Sequence, residues 1–362
     1  MLVVEPKPRL RKRIIKFIKK HKISVIIVSL AFLIFGIVLY FYVFKNRSGV
    51  TPFVKKETPT PTPKLVRAPL SGVMVTEDRA KRKPIAVSIE NHTASRPQSG
   101  LNKASLVYEA LAEGGITRFL AFFQENDVFE IGPVRSARPY FLDWLSEFDA
   151  LFAHCGGSVD ALDLIVPYGI KDLDEFRWGT QGYWRDSSRY APHNLYTSTE
   201  KLYEIAKKAG YKTTALILGY SFKEDLEKSK RPEESNITIG FNYPYNVSYK
   251  YDPKTNYYLR SVAGASHTDR ITDEQIKAKN IVVIFMPTSY GYTKKGEQAV
   301  FMETIGSGEA LVFFDGTFTH GTWKKDSRTS RTKFLDSKGE EIKFNAGTTW
   351  IEVVPPNTKI VY

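Results

Sequence analysis

The sequence predicts a mixed α/β domain followed by a mostly β domain, behind one apolar helix near the N-terminus. Three observations carry that prediction. Between residues 84 and 210, apolar runs of strand length alternate with amphipathic helical stretches. Beyond residue 236 the pattern changes to short segments alternating with period 2 between Gly, Asn and Asp turns. Ile23–Phe44 is 22 residues without a charge, enough for roughly 30 Å of hydrocarbon.

The charge pattern sets the order of the segments. The 362 residues carry 52 Lys+Arg against 39 Asp+Glu, a net charge of +13. Residues 1–22 hold nine basic side chains and one Glu, and residues 45–68 hold six and one. The remainder, 69–362, balances at 37 and 37. The basicity belongs to a tail and a linker, so no nucleic-acid partner is expected for the body. The run 23–44 is too long for the apolar core of a cleaved signal peptide and closes on FYVFKN, not on a small-residue cleavage site. It reads as a transmembrane signal-anchor. The basic excess at 1–22 puts the N-terminus in the cytoplasm and the body on the extracellular face. Pro59, Pro61 and Pro63 alternate with Thr, an extended spacer within the linker 45–68. The single Cys155 excludes an intrachain disulfide and a cysteine-based zinc site.

In the α/β domain, 69–225, Pro84–Asn91, Ser105–Leu111, Thr117–Gln124 and Ala150–His154 read as strands, with Gly114–Gly115 as a turn. Arg138–Phe148 reads as a helix with Pro139 in its first turn, and Ser158–Val166 as a second. Thr197–Gly210 is a third, capped by Ser198 or Thr199 and stopped by Gly210. Residues 223–235 are charged and nearly free of large apolar groups, a linker or long loop. In the β domain, 236–362, strands are expected at Asn246–Tyr251, Tyr257–Ala263, Ile281–Met286, Ala299–Ile305, Ala310–Phe314, Phe318–Lys324 and Thr349–Val354. Asp315-Gly316 supplies a hairpin turn, with Phe313 and Trp323 packing either side. A short helix is expected at Thr272–Ala278.

The familiar signatures G-x-S-x-G, H-E-x-x-H, G-x-x-x-x-G-K and G-x-G-x-x-G are absent. What stands out is a set of polar residues in the loops of the α/β domain: Asn91 and Arg96, Glu109, Arg118, Arg135 and Arg138, His154, then Arg189, His193 and Asn194. In open α/β sheets such loops gather beyond the carboxyl ends of the strands. Arg presents paired donors to phosphate or carboxylate, so Asn91, Arg96, Arg118, Arg135, Arg138, Arg189 and Asn194 are candidate ligand-binding residues. His154, His193 and Glu109 are candidate acid–base residues. The bland alternatives are a structural Arg118–Glu109 ion pair, a satisfied core histidine at 154 and an inert Cys155. The pairs His267/Asp269 and Asp315/His320 fit no standard metal spacing, so no metal ligand is assigned.

The stretches GLNKASLVYEALAEGGITRFLAFF, IGPVRSARPYFLDW and RYAPHNLY, continued by GASHTDRITDEQI, TIGSGEALVFFDGTFTHGTWKK and NAGTTWIEVVP, resemble the YerB-like family of bacterial lipoproteins. Its members carry the domain of unknown function 3048 in N- and C-terminal parts. The resemblance covers nearly all of 69–362 and implies an envelope-anchored bacterial protein without an assigned activity or cofactor. The sequence departs from the lipoprotein pattern in lacking a lipid-acceptor Cys after the apolar run. The favoured expectation is a membrane-anchored extracytoplasmic protein binding an anionic cell-wall or lipid-phosphate ligand, or a protein partner, through an Arg-lined cleft. The alternative is a metal-assisted phosphotransferase or phosphodiesterase acting on phosphate-linked envelope glycans.

Overall fold

The uncharged run forms a helix, α1, over Lys22–Arg47, and its segment Lys22–Lys45 is long and apolar enough to cross a membrane. The structure, a computed structural model, describes residues 15–16, 19–47 and 64–362. Most of the basic tail and the Pro59–Pro61–Pro63 spacer lie outside the described residues. The chain divides into two units, 1–62 and 63–362.

In the second unit the strands β1 (Ile85–Glu90), β2 (Leu106–Leu111) and β3 (Thr117–Phe123) are buried over their whole length. Helix α2 (Pro139–Ser146) begins on Pro139, where the missing N–H has no partner to lose. β4 (Leu151–His154), α3 (Val159–Ile165), β5 (Lys171–Asp174) and α4 (Thr199–Lys208) complete this half. Ser198 caps α4 by accepting from Lys201 N at 3.2 Å, and Leu202, Ile205 and Ala206 form its buried face. β5 escaped sequence reading because its residues, KDLD, are polar and partly exposed, as an edge strand permits.

Beyond residue 235 come β6 (Asn236–Ile239), β7 (Val247–Asp252), β8 (Tyr257–Val262), β9 (Asn280–Phe285), β10 (Thr288–Tyr292), β11 (Gln298–Met302), β12 (Gly306–Phe314), β13 (Thr317–Lys325), β14 (Lys333–Leu335) and β15 (Thr349–Val354). The helix expected at Thr272–Ala278 is absent. Asp269 accepts from Ile271 N at 3.0 Å and Gly100 N at 2.6 Å, which holds a turn there, and Lys277–Ala278 pairs with β8. Asp315 (φ 55°) and Gly316 (φ 73°) do form the tight turn between β12 and β13.

The halves do not form separate sheets. One ten-stranded sheet runs β14-β13-β12-β9-β15-β2-β3-β1-β4-β5, with β15 inserted parallel between β9 and β2. The segment 223–235 is tied down within this unit: Lys223 donates to Asn345 Oδ1 at 2.6 Å, and Arg231 to Pro253 O at 3.0 Å. One face of the sheet carries α2 and α3, packed through Tyr140, Phe141, Trp144 and Ile165. The other carries α4 and a smaller antiparallel sheet built on β6, β7 and β8, packed through Ile237, Tyr249 and Tyr258.

Strand direction places the functional edge. β9, β15, β2, β1, β4 and β5 all run the same way, and β3, between β2 and β1, runs against them. Their carboxyl ends share one edge, and Arg118 at the start of β3 joins that edge.

Candidate functional site

Successive side chains of a strand point to opposite faces, and at the end of β1 this separates two polar clusters. Glu90 shares the α2 face with Arg118, its cross-strand partner on β3. Asn91, the next residue, turns to the other face and donates to Thr117 Oγ1 at 2.7 Å and Glu109 Oε1 at 3.2 Å.

On the α2 face three arginines gather. Arg118 is 7% exposed, donates to Ser136 O at 3.2 Å, and has no partner for Nε. Burial, followed by the charges of Arg138 and Arg135, lowers its pKa to about 10 against the opposing pull of Tyr140 and Glu113. It stays cationic at neutral pH. Arg138, the N-cap residue of α2, makes a two-pronged ion pair with Glu113, with Nε to Oε1 at 2.5 Å. Burial pushes the Glu113 carboxyl up, but Arg138 and then Arg118 outweigh it and hold its pKa below the usual range. Arg135 Nε lies 3.1 Å from Glu90 Oε1, close enough for an ion pair but poorly aligned for a hydrogen bond. Among the described residues no hydrogen bond involves the terminal nitrogens of Arg135, whose side chain is 26% exposed. Arg118 and Arg135 therefore hold the uncommitted donors, while Arg138 is occupied by Glu113.

The other oxygen of Glu90 accepts from His193 Nδ1 at 2.9 Å. That bond fixes the ring and leaves Nε2 as the nitrogen open to proton exchange. His92 stacks on His193 at 4.7 Å and 13°. Glu90 was not singled out in the sequence, where it reads as the end of an apolar strand. Its position as the first residue of the polar stretch ENHTASRPQSG was an available signal.

The other candidates are engaged elsewhere. Glu109 is fully buried on the far face and pairs with Arg260, so the Arg118–Glu109 ion pair does not form. Arg96 donates to Asn91 Oδ1 and Pro244 O, both at 3.0 Å. Arg189 clamps Ser95 O and Pro97 O, each at 2.7 Å, and Asn194 donates to Asp186 O at 3.2 Å. His154 is buried between Gly156 O at 2.8 Å and Asp172 Oδ1 at 2.7 Å, holding the loop after β4. Cys155 has its pKa raised to about 11 by burial and by Glu175, which suppresses the nucleophilic thiolate. Among the described residues no group of three or more His, Cys, Asp or Glu side chains is placed to hold a metal ion.

Of the three arginines, Arg138 lines a cavity of about 360 Å³ together with Glu113, Ser136, Ser158, Glu297 and Gln298. A second, of about 390 Å³, lies between the turn 113–115 and the β10–β11 hairpin and shares Glu113 and Gln298 with the first.

The family described as "Protein of unknown function (DUF3048) N-terminal domain" matches residues 70–212, and "Protein of unknown function (DUF3048) C-terminal domain" matches 237–351. "Putative lipoprotein YerB" of Bacillus subtilis (strain 168) is 34% identical over 307 residues, which is 83% of this chain and 90% of that protein. The crystal structure of the Bacillus subtilis YerB protein aligns with a TM-score of 0.74 at 32% identity, covering 82% of this chain and 100% of that one. With both halves matched in order, the chain belongs to the DUF3048 family, as the loop and strand motifs had implied.

Proposed function

We propose that this protein is a single-pass membrane-anchored extracytoplasmic protein that binds an anionic cell-envelope group at Arg118 and Arg135. Helix α1, the basic tail before it and the lipoprotein name of its relative support the location. The observation that carries the binding reading is the unpartnered Nε of the buried Arg118, set beside a second guanidinium whose terminal nitrogens make no hydrogen bond among the described residues. Burying a cation with open donors is costly unless an anion or water completes it. Thermal denaturation of the full chain in detergent, with and without inorganic phosphate, tests the site. Wild type should be stabilised in a phosphate-dependent way and Arg135→Ala should not be. Equal behaviour of the two removes the reading. Protease shaving of intact cells tests the location, because a body digested only after lysis would place it inside.

A second reading rests on the Glu90–His193 contact. A histidine oriented by a carboxylate is the arrangement of a general acid–base, which would make the site a phosphodiesterase or phosphotransferase. Turnover of bis(4-nitrophenyl) phosphate, lost in His193→Ala and Glu90→Gln, would support it. No turnover by wild type would leave the binding reading alone.

A further inference from the structure

We infer that the β10–β11 hairpin is a sugar-stacking platform, so that the ligand at the arginines is the anionic group of a saccharide. This rests on the anion-binding reading and names the rest of the molecule that such an anion belongs to.

The hairpin follows the carboxyl end of β9 and stands beside the turn after β2. Tyr290 and Tyr292 are two residues apart and therefore share one face. Their cross-strand partners on that face are Val300 and Gln298. The rings are 66% and 70% exposed, and neither hydroxyl nor ring has a partner among the described residues. Exposed aromatics scattered singly need no explanation, but a pair aimed into one cavity does. The opposite wall is Ala112, Glu113, Gly114 and Gly115, and the two glycines place no side chain there. The cavity thus offers two bare aromatic faces, a flat open wall, and polar groups only at Glu113 and Gln298.

That combination suits a pyranose ring. One face of such a ring is made of C–H groups, apolar and slightly positive, which complements the negative face of a Tyr ring. Its rim is made of hydroxyls that both donate and accept, which an amide and a carboxylate can meet together. Position supplies the direction. The tyrosine cavity and the cavity lined by Arg138 share Glu113 and Gln298, and Ser136, which lines the latter, accepts from Arg118 through its carbonyl. A saccharide on the tyrosines would carry its anionic substituent toward the Arg138 side of the neighbouring cavity, where Arg118 holds the Ser136 carbonyl.

Isothermal titration of the full chain in detergent with N-acetylglucosamine 1-phosphate and with inorganic phosphate tests this. Wild type should bind the sugar phosphate roughly tenfold or more tighter than phosphate. Tyr290→Ala/Tyr292→Ala should bring the sugar phosphate down to the phosphate level and leave phosphate binding unchanged. Both rings are exposed, so circular dichroism and the melting temperature of that variant should match wild type. Equal affinity of wild type for the two ligands would overturn the platform while the anion site stands. Absence of binding by either ligand would remove the anion site, and the platform with it.

Discussion

Glu109 on β2 and Glu352 on β15 sit directly opposite one another in a parallel strand pair, and both are wholly buried. Arg260 from β8 pairs with Glu109, and its guanidinium lies 4.4 Å from the Trp350 ring centre. Tyr249 donates to Glu352 Oε1. Two carboxyls and one guanidinium thus join the large sheet to the small one, with the charge of Arg96 felt at Glu109 from beyond ion-pair contact. Burial, then the adjacent Glu109, raises the Glu352 pKa well above 4.5, which favours its protonated form.

The sign of the resulting pH dependence follows from linkage. The folded state keeps a proton at Glu352 that the unfolded chain releases above about 4.5. The stability from this group is complete below that value and is lost as pH rises through the raised folded pKa. Glu352→Gln keeps the acceptor for Tyr249 and removes the proton. Urea unfolding between pH 4.5 and 8 should show a slope flatter by up to about 1.4 kcal/mol per pH unit. Identical slopes would mean that Glu352 is already ionised in the fold.

Removing Arg260 should be far more damaging than removing an exposed arginine. Arg260→Met leaves the buried Glu109 without its ion-pair partner, at a cost of about 3–5 kcal/mol. Adding Glu109→Gln to the same chain should recover part of that loss, since the stranded charge is gone. A double variant as unstable as the sum of the two singles would show that the pair is not coupled.

Cys155 should resist alkylation. With its pKa at about 11 against an ordinary 9.0, its thiolate fraction at neutral pH is lower by roughly a hundredfold. Iodoacetamide labelling of the native chain should be slow at pH 7 and rise steeply toward pH 11. Rapid labelling at pH 7 would contradict the buried, Glu175-facing environment.

Gly316→Ala should destabilise the β12–β13 hairpin. The residue sits at φ 73°, and an added Cβ would lie 2.5 Å from the Tyr251 ring. A left-handed Ala costs about 1 kcal/mol, with the clash in addition. The fall in melting temperature should exceed that of Gly339→Ala, where the φ is 80° but nothing crowds the Cβ.

Much of the local structure was legible in the sequence because it is written at short range. Helix α4 was announced by its cap, its apolar spacing and its closing glycine, and the β12–β13 turn by Asp315-Gly316. The missed elements are those whose signal is weak or distant. β5 is polar, and the Thr272–Ala278 segment follows Asp269, whose carboxylate organises a turn that helical spacing does not reveal. Of the loop arginines, period-2 alternation could have told Glu90 from Asn91. It could not have told that Arg135 from a later loop would reach Glu90, or that Arg189 would be consumed by Ser95 and Pro97 carbonyls.

By itself, the sequence determined the apolar helix, the confinement of excess charge to the tail and linker, the identities of most strands of the large sheet and the family. Each depends on composition or on neighbours a few residues apart. Only the tertiary structure decided that β15 enters the sheet between β9 and β2, which makes two sequence halves one sheet. It alone decided that three of the arginines share a face with Glu90 while the others are held by backbone carbonyls. Those outcomes depend on which distant strand pairs with which, and that is settled by burial of whole faces, not by any local run of residues.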